Sequence, residues 1–455
     1  MKHYAFKGIL QNKGWLENMA ITIDRDGIIV DIDQVNGNEV DAGYALPGFQ
    51  NAHSHAFQYA MAGLAEKHDA DTTNGDFWSW REAMYRLALN ISPDQLEDIA
   101  TMLYAEMVRH GYTSVAEFHY VHHDKNGKPY DNLAEMGSRL VAAAETVGIN
   151  ITLVPIFYQK GGFGVTPNER QKRFISSSVD DYMKLLDASQ SVCKHYKGAN
   201  IAIGIHSMRG VEPDHIAEIA QFGPQNLPFH IHISEQLKEI EDSIEYLGKR
   251  PVEWLAENVA LTDRFHLVHA THLTENETAS IAQSGANVVL CPTTEGNLGD
   301  GIFPLRKYQE LGGKWSIGTD SHVGLNPLEE LRLLDYGQRL VSHKRNTFNS
   351  ADQGDSGLFA FEMASTAGRK AMNNFEEQFF EVGKPLNTII YDDKSPLIET
   401  SSIENMASTI LYSSDASMQQ ATIINGKEVA TAGQHCNNES ISNKFFKTIK
   451  ELANR

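Results

Sequence analysis

Leu46-Pro47-Gly48-Phe49-Gln50-Asn51-Ala52-His53-Ser54-His55 is a short, largely apolar run that closes on two histidines one residue apart. Runs of the same kind recur downstream at residues 112–119, 151–157, 201–206, 229–233, 265–269, 287–292 and 314–320, each ending in polar side chains. Helical patterns separate them. Between the first two, Ser92-Pro93-Asp94-Gln95 reads as a capping box with proline at the first helical position. Leu96, Ile99, Leu103 and Met107 then fall on one stripe before the Gly111 stop. Apolar strands that are continuous rather than alternating, with helices between them, indicate a parallel sheet covered on both faces. Eight of them predict a closed α/β barrel of the (β/α)8, TIM-like kind. The alternative, an open doubly wound sheet, lacks the glycine-rich phosphate turn expected after an early strand.

The flanks have a different texture. Residues 19–23 and 28–32 are strand-like and surround Asp24-Arg25-Asp26-Gly27, whose Asp-Gly pair favours a tight turn. Residues 388–391, 408–412 and 421–424 are again β-prone, the last followed by Asn425-Gly426. Two β-rich ends predict a small β-sandwich domain formed by both termini. The expected division is 1–46 for its N-terminal part, 47–385 for the barrel and 386–455 for its C-terminal part. Residues 437–455 read as a polar linker and a short terminal helix.

Of the 455 residues, 41% are hydrophobic and 22% charged, which allows a large core and excludes wholesale disorder. Lysine plus arginine total 39 against 59 aspartate plus glutamate, a net charge of −20. This balance predicts no nucleic-acid partner and no anionic membrane surface, because both need a basic footprint. An anionic ligand would have to be held by particular arginines against the overall field. Cys193, Cys291 and Cys436 are too few and too scattered for a disulfide framework or a zinc knuckle. Met1-Lys2-His3-Tyr4-Ala5-Phe6-Lys7 lacks the apolar core of a signal peptide, and no run approaches the roughly 18 apolar residues of a membrane span. The expectation is a soluble cytoplasmic protein.

Barrels of this kind place their chemistry at the C-terminal strand ends. Those ends carry His53 and His55, His119 and Tyr120, His206, His232 with Glu235, His269, and Asp320. A lone strand-end histidine is usually a structural residue, but six ends of eight carrying such groups is not coincidence. On an extended chain residues i and i+2 point the same way, so His53 and His55 can converge on one metal ion. With His232 and Asp320 the set becomes three imidazoles and a carboxylate, donors that suit zinc with a position left for water, and also iron(II) or manganese(II).

Pro47 to His55 resembles the first-strand motif of the amidohydrolase superfamily, and the match continues through Ala56-Phe57-Gln58-Tyr59-Ala60-Met61-Ala62-Gly63-Leu64. Further matches are Trp80-Arg81-Glu82, Glu117-Phe118-His119-Tyr120, His206-Ser207-Met208-Arg209, His230 to Gln236, Leu267 to His272, Cys291 to Glu295, Gly299-Asp300-Gly301 and Gly318 to His322. They span the barrel, and the flanks fit the small β-domain of that superfamily. The His-x-His and Asp320 elements are superfamily-wide. Arg81, Tyr120 and Arg209 resemble the branch that acts on N-formimidoyl-L-glutamate in histidine degradation, with Tyr59 and Thr319 departing from its pattern.

The resemblance implies hydrolytic deimination of that substrate to N-formyl-L-glutamate and ammonia, with His53, His55, His232 and Asp320 as metal ligands. It implies catalytic roles for Glu235, which would shuttle a proton to the leaving nitrogen, His269, which would orient the attacking water, and Asp320, which could accept a proton from it. Arg81 and Arg209 would hold the substrate carboxylates as guanidinium forks, with Gln58, Tyr120 and His206 orienting it. Two-metal relatives carry a bridging lysine where this chain reads Ile203-Gly204-Ile205-His206, so one divalent ion is expected. A homodimer is common among such barrels. The alternatives are a deaminase of the same superfamily acting on a nucleobase or related amidine, and a non-catalytic barrel scaffold.

Plainer readings apply elsewhere. Arg81 by itself reads as a helix-surface salt-bridge partner of Glu82 or a neighbour. His122 and His123 read as loop residues, and His3, His68, His110, His195, His215 and His435 as surface residues. His272 and His322 stand as supporting donors, Cys291 as a packed thiol, and Trp78 and Trp80 as pocket cover or packing.

Overall fold

The computed structural model describes residues 1–66, 77–345 and 347–452. β1 (Lys2–Gln11), β2 (Gly14–Ile23) and β3 (Ile29–Gln34) form an antiparallel meander, and β4 (Ala42–Pro47) returns parallel to β1. The turn between β2 and β3 is the expected one. Asp24 Oδ1 accepts from the N–H groups of Asp26 at 2.9 Å and Ile28 at 3.0 Å, and Gly27 takes a φ of 78°.

The apolar runs then become parallel strands, beginning with β5 (Phe49–Ser54), β6 (Tyr112–His119) and β7 (Asn150–Phe157). A short β8 (Ala199–Ile201) lies beside β7 and precedes β9 (Ile203–Ser207). β10 (Phe229–Ile233), β11 (Phe265–His269), β12 (Asn287–Leu290) and β13 (Lys314–Ile317) complete the series. Their order in space, β5-β6-β7-β9-β10-β11-β12-β13, follows the chain, and a parallel bridge between Ser54 and Asp320 joins the last strand to the first. The N–H groups of Thr319 and Asp320 both donate to His53 O, at 3.1 and 3.0 Å. Gly318 permits this approach: a Cβ there would lie 2.8 Å from that of His53. Phe118, Ile205, Ile231 and Leu267 are wholly buried, as strands covered on both faces require.

The helix Pro93–Arg109 begins with the predicted reciprocal cap, Ser92 Oγ accepting from Gln95 N at 3.2 Å and Gln95 Oε1 from Ser92 N at 3.1 Å. Its stripe of Leu96, Ile99, Leu103 and Met107 is buried against the barrel.

β14 (Thr388–Tyr391) pairs antiparallel with β4, and β15 (Gln419–Ile424), β16 (Lys427–Thr431) and β17 (Gln434–His435) follow. Both chain ends thus share one eight-stranded sheet, in the order β17-β16-β15-β14-β4-β1-β2-β3. Residues 408–412, read above as a strand, lie instead in the helix Met406–Ser413. Met406, Ala407, Ile410 and Leu411 are buried there at helical spacing, and that packing overrides the β-branched preference of the segment. The tail has no linker before its helix, which runs from Asn438 to Glu451 and packs on Pro93–Arg109 through Thr448 Oγ1, donating to Asp98 Oδ2 at 2.7 Å. His435 is buried and bonds Val147 O at 3.0 Å, contrary to its reading as a surface residue. No helix among the described residues is long and apolar enough to cross a membrane.

Candidate active site

His53, near the end of β5, and His55, just beyond it, bring their Nε2 atoms to 3.1 Å from one another. His232, on β10, places its Nε2 3.0 Å from that of His53. Asp320, after β13, adds Oδ1 at 3.5 Å from His53 Nε2 and 3.3 Å from His55 Nε2. These four groups are all buried, with their donor atoms within 4.8 Å of one another.

Hydrogen bonds settle which ring nitrogens carry protons. His55 Nδ1 faces Phe118 O at 2.7 Å and His232 Nδ1 faces His206 O at 2.8 Å. A carbonyl only accepts, so both Nδ1 atoms hold the hydrogen and both Nε2 atoms aim lone pairs at the shared centre. Burial and neighbouring imidazoles push His53 and His232 well below the ordinary histidine range, and burial lowers His55 despite Asp320. Neutral imidazoles and a carboxylate converging in this way are a fit for a divalent cation.

Beside this centre, His269 Nε2 lies 3.7 Å from Asp320 Oδ2 and 3.8 Å from Glu235 Oε1, while its Nδ1 is 3.2 Å from Glu295 Oε1. Burial pulls the His269 pKa down, but the three surrounding carboxylates outweigh it and hold it at about 10. Several of these groups sit in strained backbone. Ser234, His269, Ala270, Asp320 and His322 all have φ between 44° and 67°, in the left-handed region that costs roughly 1–2 kcal/mol for a residue with a Cβ. Such turns at the ends of β10, β11 and β13 aim side chains inward where a regular strand would alternate.

The cavity over this centre is lined by His55, His232, Glu235, His269 and Asp320 on one side. Gln58, Trp80, Arg81, Tyr85, Tyr120, Tyr158, His206 and Arg209 form the remaining polar and aromatic wall. Arg81 does not pair with Glu82, which binds Arg170; its Nη2 donates to Tyr85 Oη at 2.7 Å. Arg209 Nη2 stands 3.4 Å from Glu235 Oε2. Gln58 Nε2 donates to Tyr120 Oη at 2.9 Å, and its Oε1 is buried without a partner. The His206 ring packs on Tyr158 at 4.1 Å between centroids. Burial, then the nearby arginines Arg209 and Arg81, keep that ring neutral.

The structure thus brings every expected site residue to one place, His53 lying directly behind the cavity. His119 is the strand-end histidine that does not join them. It points outward from β6, where it is buried near Gly137 of the helix Glu135–Val147. His122 and His123 bond backbone carbonyls, Ile156 O at 2.9 Å and Ile175 O at 2.8 Å. His322 braces the site, accepting from His55 N at 3.3 Å. His68 and the Trp78 side chain lie outside the described residues.

Three buried carboxylates were not singled out from the sequence. Glu117 accepts from Ser54 Oγ, Ala56 N and Tyr104 Oη at 2.7, 2.6 and 3.0 Å, fixing the chain around His55. Glu239 accepts from Glu235 N at 3.1 Å, and Glu295 bonds His269. Glu117 and Glu295 fall inside matched motifs without a role of their own, and Glu239 is marked only by its lack of exposure, which no linear pattern shows.

A barrel carrying three histidines and an aspartate at its C-terminal mouth defines a class of metal-dependent hydrolase. The model of the amidohydrolase family matches residues 44–429, and the chain belongs to that family. Among known proteins it is similar to formimidoylglutamate deiminase of Pseudomonas aeruginosa, at 41% identity over 444 residues and 97% of each chain. It is 25% identical over 421 residues to 5-methylthioadenosine/S-adenosylhomocysteine deaminase of Halobacterium salinarum, covering 90% of this chain and 87% of that one. The crystal structure of an amidohydrolase from Brucella melitensis superposes with a TM-score of 0.93 at 37% identity over all of both chains. An adenosine deaminase from Xanthomonas campestris with bound zinc gives 0.81 at 19% identity, over 100% of this chain and 98% of that one, a likeness of fold.

Proposed function

We propose that the chain hydrolyses N-formimidoyl-L-glutamate to N-formyl-L-glutamate and ammonia, using one divalent cation held by His53, His55, His232 and Asp320. The observation that carries the substrate is the pair Arg81 and Arg209 on the cavity wall of a chain with net charge −20. Two guanidinium forks in such a field answer two carboxylates; a nucleobase would call for stacking and amide donors instead. The 41% identity to a formimidoylglutamate deiminase over nearly the full length supports the same substrate.

A divalent cation bound there supplies Lewis acidity, bringing water toward deprotonation near neutral pH. The residues of the chain do the rest. Arg81 and Arg209 anchor the carboxylates, and Gln58 Oε1 takes an N–H of the formimidoyl group. His269, flanked by the carboxylates of Glu235, Glu295 and Asp320, donates from Nε2 to the attacking oxygen. The oxygen adds to the formimidoyl carbon, Asp320 accepts a proton, and Glu235 moves a proton to the departing nitrogen as the C–N bond breaks. In the same reading zinc is the cation, the reaction belongs to histidine degradation in the cytoplasm, and the protein acts as a homodimer without nucleic acid.

The test is ammonia release by metal-replete protein offered N-formimidoyl-L-glutamate, adenosine or 5′-methylthioadenosine. The formimidoyl substrate is expected to give the highest kcat/KM. A nucleoside turned over faster would overturn the assignment.

A further inference from the structure

Glu295 sits in the first turn of the short helix Pro292–Leu298, following β12, and is only 6% exposed. It is absent from the cavity lining, so the described geometry gives it no contact with substrate. Its Oε1 accepts twice, from Cys291 N at 2.9 Å and from His269 Nδ1 at 3.2 Å. A buried carboxylate persists only where such donors compensate its desolvation.

His269 needs an external hold. Its own φ is 67° and that of Ala270 is 49°, so the strand geometry that would set an ordinary rotamer is missing. The ring stacks on His232, with planes 8° apart and centroids 5.5 Å apart. Stacking fixes the ring plane but not its flip. A half-turn about Cβ–Cγ preserves the stack while replacing Nε2 with Cε1 opposite Asp320 and Glu235. The bond to Glu295 distinguishes the two flips, because only one of them sets a ring N–H against the Oε1 acceptor.

We propose that Glu295 is a positioning residue that locks the flip of His269, keeping its Nε2 turned toward the reacting atoms. The proposal rests on the reading of His269 given above.

Glu295→Ala and Glu295→Gln are compared with wild type by kinetics, metal content and NMR of protein labelled with 15N-histidine, the His269 Nδ1–H signal being identified by its loss in His269→Asn. In Glu295→Ala we expect kcat to fall roughly 10–100-fold with KM nearly constant, metal content unchanged, and the Nδ1–H signal lost. Glu295→Gln, whose amide oxygen still accepts, should restore most of the rate. The double variant with His269→Asn should be no slower than His269→Asn alone. An unchanged kcat and an unmoved signal in Glu295→Ala would overturn the proposal, as would a double variant far slower than either single one. If Glu295→Ala fails to fold, Glu295→Asp, one methylene too short to reach Nδ1, carries the same expectations. The NMR signal needs no substrate, so its loss in the variant alongside an inert wild-type protein would sink the proposed reaction and leave the positioning role standing.

Discussion

Arg209 belongs to two partnerships at once: it lines the cavity and stands 3.4 Å from Glu235 Oε2. Removing the guanidinium with Arg209→Met takes away a contact that the proposed substrate makes both before and during reaction, so its effect falls mainly on KM. A charge-assisted hydrogen bond contributes about 1.5–3 kcal/mol, and KM is expected to rise roughly 10–100-fold. Steady-state kinetics would refute the assignment by returning an unaltered KM. Individual residues were unevenly legible in advance. His53 and His55 announce themselves because a period of two is a property of any extended chain. His119 misleads, because strand alternation sends it outward while Phe118 faces the cluster, its ring 4.4 Å from that of His232. Glu239 was invisible as a carboxylate of consequence, since burial by distant elements leaves no local mark, and Glu295 showed only as the end of a matched motif. The plainer reading of Arg81, a surface salt bridge with Glu82 or a neighbour, gives way to a bond with Tyr85, and Glu82 goes to Arg170.

Among the elements, barrel strands were the most readable, because continuous apolar runs have few other fates in a chain of this size. The helix Met406–Ser413 was not: eight residues with two serines, one threonine and one isoleucine satisfy both periods, and packing on the helices Ser356–Ala371 and Pro327–Ser342 decides between them. The helix Pro327–Ser342 makes a stability prediction. Its Glu330 is fully buried and accepts from Thr293 N at 2.9 Å, and burial raises its pKa to about 8. Between the ordinary value of 4.5 and about 8 the folded state holds a proton that the unfolded chain has released. Its contribution is therefore full below the lower value and lost as pH rises through the upper one. The effect is on the order of 5 kcal/mol. Glu330→Gln keeps an acceptor for Thr293 and should flatten the decline of the urea midpoint between pH 5 and 8.5, pH values set by the shift just described. A variant with the wild-type slope would exclude Glu330 as its source.

For the molecule as a whole, the four donors come from β5 and the residue just after it, from β10 and from the segment after β13, so a bound cation ties the first barrel strand to the last. Stripping the metal with a chelator should lower the thermal midpoint by several degrees and abolish turnover, and added zinc should reverse both. Binding only the folded state adds about 4 kcal/mol at a thousandfold excess over Kd. A midpoint indifferent to chelator and zinc would argue against the site. The small β-domain has its own long-range dependence, since β4 is flanked by β1 on one side and by β14, more than three hundred residues later, on the other. As the chain leaves the ribosome, that edge of β4 stays open throughout translation of the barrel, a standing invitation to pair with neighbouring nascent chains. The seal arrives only when Thr388–Tyr391 has been made.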